Sequence, residues 1–363
     1  MKLVTIVGAR PQFIKAAAVS RVLRRQHQEF LVHTGQHYDE NMSEVFFEEL
    51  HIPRPDQNLG VGSGSHAKQT ANMMIGIEEI LLEEKPDGLL IYGDTNSTLA
   101  GALAASKIHI PVFHIEAGLR SYNKRMPEEQ NRILADHSSD LLFCPTETAV
   151  ENLKREGITK GVYQVGDVMC DAVKYYAEQI EKQDKSYYFN QLRGLFCEVI
   201  PSEKWYIATI HRAENTENIQ KIREILEAFE ELDAPVLFPV HPRTKGIVTQ
   251  LYQQYNYQNI LFIEPVGYSM MLYLVKHALK TITDSGGLQK ETYLLDTPCI
   301  TVREQTEWVE TLSGNYNILA NPEKNDILSK IFDTRISPEK KLNYYGDGHS
   351  SEKICALLSS ASN

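Results

Sequence analysis

The chain lacks any apolar run near the roughly 20 residues of a membrane span, so no transmembrane helix is expected. It also lacks a positive excess. A net charge of -11 argues against broad binding to nucleic acid or to anionic membranes. An anionic small molecule remains compatible, because it needs only a local cationic pocket. Cysteine is sparse: Cys144, Cys170, Cys197, Cys299 and Cys355 are odd in number, scattered and without CxxC spacing. They read as mostly buried, reduced thiols of a cytoplasmic protein. The apolar start, Leu3–Gly8, is too short for a signal peptide. GxGxxG is absent, which removes the dinucleotide fingerprint. HExxH and Cys/His clusters are absent, so no metal is expected. No GxSxG elbow supports a Ser–His–Asp hydrolase. There is no low-complexity tract and no repeat beyond an architectural one.

What is present is an ordinary globular composition, 42% apolar and 23% charged over 363 residues. That length suggests about two domains. Short apolar runs alternate with helical patterns. Strands are expected at Leu3–Val7, Glu29–Thr34, Gly88–Tyr92, Val112–Ile115 and Leu141–Cys144. Helices are expected at Pro11–Gln26, His66–Glu84, Ser97–Lys107 and Glu147–Glu156. The pattern restarts with strands at Trp205–Ile210, Pro235–Val240, Ile260–Ile263, Thr281–Thr283 and Cys299–Val302. Helices between them are expected at Glu217–Leu232, Arg243–Tyr255, Ser269–Ala278 and Leu288–Leu295. Such alternation implies two α/β, doubly wound Rossmann-like domains with parallel sheets, 1–170 and 171–350, facing across a cleft. The polar segment Tyr175–Tyr188 is the expected hinge. Ligands of such folds bind outside the carboxyl ends of the strands.

The chemistry-bearing residues fall at those ends. The stretch His114–Arg120 closes a buried strand with Glu116, and Met126–Arg132 opens a helix behind Pro127 with Glu128 and Glu129. Asp94, in Gly93–Ser97, closes the neighbouring strand, where it would act in catalysis or cap the next helix. Carboxylates at strand ends and a helix start can share one site and move protons in both directions. Ser285, Gly286 and Gly287 present amides and a hydroxyl at a helix N-terminus, which suits a diphosphate. Glu291, about a turn further on, is placed to accept from ribose hydroxyls. Arg10 and Lys15 are candidate cations for the phosphates. His211 and Arg212, and likewise His241, follow strands of the second domain and are candidates for phosphate or sugar contacts.

Together these segments resemble the non-hydrolysing UDP-N-acetylglucosamine 2-epimerase family. The carrying motifs are Gly8-Ala9-Arg10-Pro11, Thr34-Gly35-Gln36-His37, Gly93-Asp94-Thr95, His114–Arg120, Pro127-Glu128-Glu129, Val165-Gly166-Asp167, His211–Asn215, Asp284–Gly287 and Arg303–Glu307. The resemblance implies a two-domain fold of GT-B type, with UDP held mainly by the second domain. It also implies a last helix, 351–363, packing back on the first domain, and a cytoplasmic homodimer that supplies precursors of surface polysaccharides. The implied reaction needs no cofactor. A base takes the proton from sugar carbon 2, UDP leaves carbon 1, and a 2-acetamidoglycal forms. UDP then re-adds while carbon 2 is protonated on its other face. Motif matching makes Asp94, Glu116 and Glu128 the acid/base candidates, and His211 a stabiliser of the departing diphosphate.

Two departures bear on the substrate. Where the family usually reads Thr-Glu-Arg-Pro, this chain has Thr306-Glu307-Trp308-Val309. With Gly-Ala-Arg-Pro-Gln-Phe at its start, it resembles the branch acting on UDP-2,3-diacetamido-2,3-dideoxy-glucuronate. Lys124, Arg125 or Arg120 would then meet the substrate carboxylate. Gln36-His37-Tyr38-Asp39 differs from the family's usual Gln-His-Arg, in a region that helps bind an activating UDP-sugar in some members. A GT-B glycosyltransferase or a non-enzymatic nucleotide-sugar sensor is the competing reading. The first needs an acceptor, and the second has no use for three carboxylates.

Overall fold

The computed structural model describes residues 1–36, 47, 54–199, 202–333 and 343–361. His37, Tyr38 and Asp39 of the departing motif lie outside them. The chain divides into two compact units, Met1–Ala172 with Asn343–Asn363, and Val173–Leu342.

The first unit holds a seven-stranded parallel sheet in the order β3-β2-β1-β4-β5-β6-β7. Its strands are β1 (Lys2–Val7), β2 (Gln28–His33), β3 (Gln57–Asn58), β4 (Gly88–Tyr92), β5 (Val112–Ile115), β6 (Leu141–Cys144) and β7 (Val162–Gln164). β4 and β5 read as near-continuous apolar runs because helices cover both faces. The Asn96–Lys107 helix carries small residues where it meets the sheet, so its backbone approaches Ile91 and Leu89 closely. Ile77, Ile80 and Leu81 of the His66–Glu84 helix pack beside it with Val4, Ile6 and Leu89. Each such fully buried aliphatic side chain stabilises the fold by about 1.5–3 kcal/mol. The C-terminal Ser350–Ala361 helix packs on Arg10–Leu23. The chain rejoins this unit at Asn343, earlier than the expected Ser351. There the Tyr345 carbonyl accepts from the Asp167 amide at 2.9 Å.

The second unit has a six-stranded parallel sheet, β10-β9-β8-β11-β12-β13. Its strands are β8 (Tyr206–Thr209), β9 (Val236–Pro239), β10 (Ile260–Ile263), β11 (Thr281–Thr283), β12 (Cys299–Val302) and β13 (Asn317–Ala320). Ile225 and Phe229 of the Ile219–Glu230 helix pack on Ala208, Phe238 and Ile300. The expected hinge, Tyr175–Tyr188, follows shortly after the point in the chain, Ala172 to Val173, where the second unit begins, and it is largely helical. Tyr176, Ile180 and Tyr188 are buried there, and apolar side chains at helical spacing outweigh the polar residues between them.

In each sheet the strand order reverses once, between β1 and β4 and between β8 and β11. A crevice opens at such a reversal beyond the carboxyl ends of the strands. The candidate residues are carried by the loops at those two points.

Candidate active site

In the first unit the loops after β1, β4 and β5 converge. Gln12 ties two of them together. Its Oε1 accepts from the Gly8 and Ala9 amides (2.8 and 3.1 Å), and its Nε2 donates to the Tyr92 carbonyl at 2.8 Å. Asp94 follows β4. It does not cap the next helix, because Thr95 does, accepting from the Thr98 amide. The Asp94 carboxylate is one-third exposed and ion-paired to Arg132.

Glu116 follows β5 with a φ of 70°, a left-handed conformation rare for a residue with a Cβ. Such strain clusters at functional sites. Its carboxylate is ion-paired to Lys15, and both side chains are buried. Lys15, expected among the phosphate-binding cations, is therefore occupied by a carboxylate of its own unit. Arg10, at the start of the same helix, is half-buried. Gly93 explains why the pair fits. A Cβ built there would stand 3.1 Å from Glu116 Oε2 and 3.3 Å from Lys15 Nζ, at a φ of 63°. The positive φ favours glycine, and a Cβ would also press on the ion pair.

The two adjacent acids of the Pro127–His137 helix separate cleanly. Glu128 is exposed in the first turn, four residues before Arg132 and so on the helix face that meets Asp94. Glu129 is buried and structural. Its carboxylate accepts from the Ser121 amide and hydroxyl (both 2.9 Å), the Tyr122 amide (2.7 Å) and Arg132 Nη1 (2.7 Å). Asn131 Nδ2 donates to the Asp94 carbonyl at 3.0 Å. Arg132 and Asn131 are thus site residues that no motif role had flagged. The i, i+3 spacing of Glu129 and Arg132 was the available signal.

Burial pushes the Glu129 carboxyl up, but the Ser121 and Tyr122 hydrogen bonds and Arg132 outweigh it and hold the group below its usual range. A depressed folded-state value stabilises above the unfolded value and is lost as pH falls through the folded one. Glu129→Gln is therefore expected to destabilise the protein by about 2 kcal/mol at neutral pH. The gap from wild type should close as pH drops below 4.5. Thermal melts of both proteins across that range check it.

Arg120 is not available to a substrate carboxylate. It pairs with buried Asp136 at 2.7 Å and grips Glu156 with two nitrogens, at 2.7 and 2.8 Å. Lys124 and Arg125 are exposed in the loop that Glu129 shapes.

In the second unit Asp284 organises the loops after β8 and β11. This buried carboxylate accepts from the amides of His211 (3.0 Å) and Arg212 (3.0 Å) and from Asn215 Nδ2 (3.0 Å). The His211 side chain is one-third exposed, and its ring lies 5.3 Å from that of His241. His241 caps the Pro242–Tyr255 helix, its Nδ1 accepting from the Arg243 amide at 3.1 Å. Ser285 caps the Gly286–Leu294 helix through its hydroxyl. A Cβ built on Gly287 would meet nothing within 4 Å, so the space beside this first-turn residue is open. Gly286 is crowded. A Cβ there would stand 2.4 Å from Glu307 Oε1. Glu307 bridges Arg303 (2.9 Å) and Arg212 (3.6 Å). Burial raises its carboxyl, but the two guanidiniums prevail and hold it below the usual range. Glu307 was expected only as part of a variant motif; here it places Arg212 beside the Gly286 turn. Glu291 is buried along the same helix.

Residues 21–359 match the family described as UDP-N-acetylglucosamine 2-epimerase. A Methanococcus maripaludis UDP-N-acetylglucosamine 2-epimerase homolog is 51% identical over 363 residues, covering 99% of each chain. The UDP-2,3-diacetamido-2,3-dideoxy-D-glucuronate 2-epimerase of Pseudomonas aeruginosa is 45% identical over 370 residues, again 99% of each. Among solved structures, Methanocaldococcus jannaschii UDP-GlcNAc 2-epimerase in complex with UDP-GlcNAc and UDP superposes with a TM-score of 0.88. It is 41% identical and covers 99% of this chain and 100% of its own.

Proposed function

The chain belongs to the UDP-N-acetylglucosamine 2-epimerase family, a family of isomerases, and from that premise we propose that it inverts carbon 2 of UDP-N-acetylglucosamine through Asp94, Glu116 and Glu128. The observation that carries the assignment is the meeting of two carboxylate turns. β4 and β5 are paired neighbours, and the Glu116 carboxylate rests against Gly93, the residue before Asp94.

One carboxylate takes the carbon-2 hydrogen as a proton. The C–H electron pair forms the carbon 1–carbon 2 double bond, and the carbon 1–oxygen bond breaks with its pair leaving on UDP. In return, UDP oxygen attacks carbon 1 while another acid delivers a proton to the opposite face of carbon 2. No net oxidation occurs. Exchange on two faces needs more than one acid/base group, and these three supply it. Lys15 belongs to this step as the partner of Glu116. The second unit receives the diphosphate. The Ser285–Gly287 amides, Arg212 and His211 form its donor set, with His211 meeting the charge that develops as UDP leaves. Arg10, His241 and Glu291 complete the substrate-binding set.

A second reading keeps the mechanism and changes the sugar to UDP-2,3-diacetamido-2,3-dideoxy-glucuronate. The exposed cations Lys124 and Arg125 favour it, standing in the loop between Glu116 and Glu128. Incubating the enzyme with each UDP-sugar in heavy water separates the readings. Deuterium is expected at carbon 2 of epimer and recovered substrate alike, and the higher kcat/KM identifies the sugar. Deuterium at carbon 2 of neither sugar would overturn both. Cytoplasmic location, homodimeric assembly and supply of polysaccharide precursors go with this reading.

A further inference from the structure

His114 stands two residues before Glu116 and is fully buried. Its Nδ1 lies 2.7 Å from Asp136 Oδ1, and its Nε2 lies 2.7 Å from the Gly93 carbonyl oxygen. Both oxygens only accept. A backbone carbonyl has no hydrogen, and Asp136 is an ionised acceptor, because its Oδ2 accepts from the Arg120 guanidinium at 2.7 Å and from the Gly118 amide at 3.1 Å. A neutral imidazole carries one N–H. Either tautomer would press a lone pair against an oxygen at hydrogen-bond distance. We propose that His114 is a buried, doubly protonated imidazolium, and that it is a positioning residue locking the Asp94-bearing turn to the Glu116-bearing turn.

The surrounding charges agree. Arg120 lies 2.7 Å from Asp136 and holds Glu156, which His137 Nε2 meets at 3.1 Å on the exposed rim. Cys144 is buried nearby, and burial together with Asp136 pushes its thiol up, so it brings no charge. Against the two carboxylates Asp136 and Glu156, Arg120 supplies one positive charge. A charged His114 adds a second cation beside Arg120, facing fully buried Asp136 and the partly exposed Glu156. A buried charge left unpaired is costly.

The mechanical consequence follows from Asp136. Its Oδ2 accepts from the Gly118 amide at 3.1 Å, two residues after Glu116. Its Oδ1 holds His114, which holds the carbonyl of Gly93, directly before Asp94. One carboxylate thereby fixes the spacing of two acid-bearing turns.

The protonation state is tested on the wild-type protein by nitrogen NMR of histidine-labelled enzyme. Both ring nitrogens of His114 are expected to show a directly bonded hydrogen, and a bare nitrogen would overturn the imidazolium. The signals are assigned by their loss in His114→Gln or, if that variant fails to fold, by through-bond correlation from its own amide. The positioning role rests on the proposed function and is read kinetically. His114→Phe and Asp136→Asn are expected to lower kcat about a hundredfold with UDP affinity unchanged, as misplacement of a reacting group does. His114→Gln keeps a donor for the Gly93 carbonyl and should recover part of that loss. Parallel loss of kcat, UDP affinity and melting temperature would reduce His114 to a packing residue. A wild-type enzyme that forms no epimer would sink the proposed function and leave the NMR result standing.

Discussion

Asp94→Asn and Glu116→Gln should each lower kcat by about 10²- to 10⁴-fold, the span of a lost general acid or base. UDP affinity should change less than about threefold, because an interaction confined to the transition state leaves ground-state binding alone. The structure gives the reason for that split. Both side chains belong to the first unit, on neighbouring turns after β4 and β5. The residues assigned to the diphosphate belong to the second. The variants keep shape and hydrogen-bonding capacity, but each leaves a cation beside a neutral amide, Arg132 by Asp94 and Lys15 by Glu116. Steady-state kinetics with UDP titration calorimetry check both halves. The heavy-water experiment adds a sharper reading: a variant lacking one proton carrier should wash deuterium into only one of the two epimers. Equal loss of turnover and of UDP binding would recast Asp94 and Glu116 as ground-state contacts.

Much of this site was legible in the sequence, for identifiable physical reasons. β4, with five consecutive buried residues, could be little but a parallel strand covered on both faces, so Asp94 had to stand at its carboxyl end. Serine followed by two glycines after β11 marked a helix N-terminus open to an anion. The two domains followed from the restart of the alternation. What escaped was contact between residues distant in the chain. Lys15 looked like a phosphate cation because helix-start cations often are. That it pairs with Glu116 depends on β1, β4 and β5 being neighbours, which spacing does not encode. Glu128 and Glu129 are chemically identical neighbours, and only helix phase makes one exposed and the other the organiser of the Ser121–Met126 loop. Arg120 was offered to a substrate carboxylate, yet Asp136 and Glu156, 16 and 36 residues away, consume it. The polar look of Tyr175–Tyr188 hid parts of two helices, in which Tyr176 and Tyr188 are buried.

Asp284→Ala is expected to be the most damaging substitution in the second unit. The carboxylate has no solvent exposure and joins two loops, the turn before the Gly286–Leu294 helix and the His211–Arg212 turn. Removing it strands the amides of His211 and Arg212 and the amide group of Asn215, each without the acceptor it had. At about 1–3 kcal/mol for each unsatisfied buried donor, partly relieved by water at the exposed edge, a loss of about 3–5 kcal/mol follows. That corresponds to a melting temperature lower by roughly 10 °C. UDP affinity should fall with it, unlike in the Asp94 and Glu116 variants, because Asp284 sets the distance between His211, Arg212 and the Ser285–Gly287 amides. Asp284→Asn keeps the shape and one acceptor oxygen, so it should lie between Ala and wild type in both measurements. Differential scanning calorimetry and UDP titration on the two variants separate the causes. A normal melting temperature with depressed turnover would mean that Asp284 acts on the substrate rather than on the loops. A shared fall in stability and UDP affinity, graded from Asn to Ala, makes it the clamp on which the diphosphate site is built.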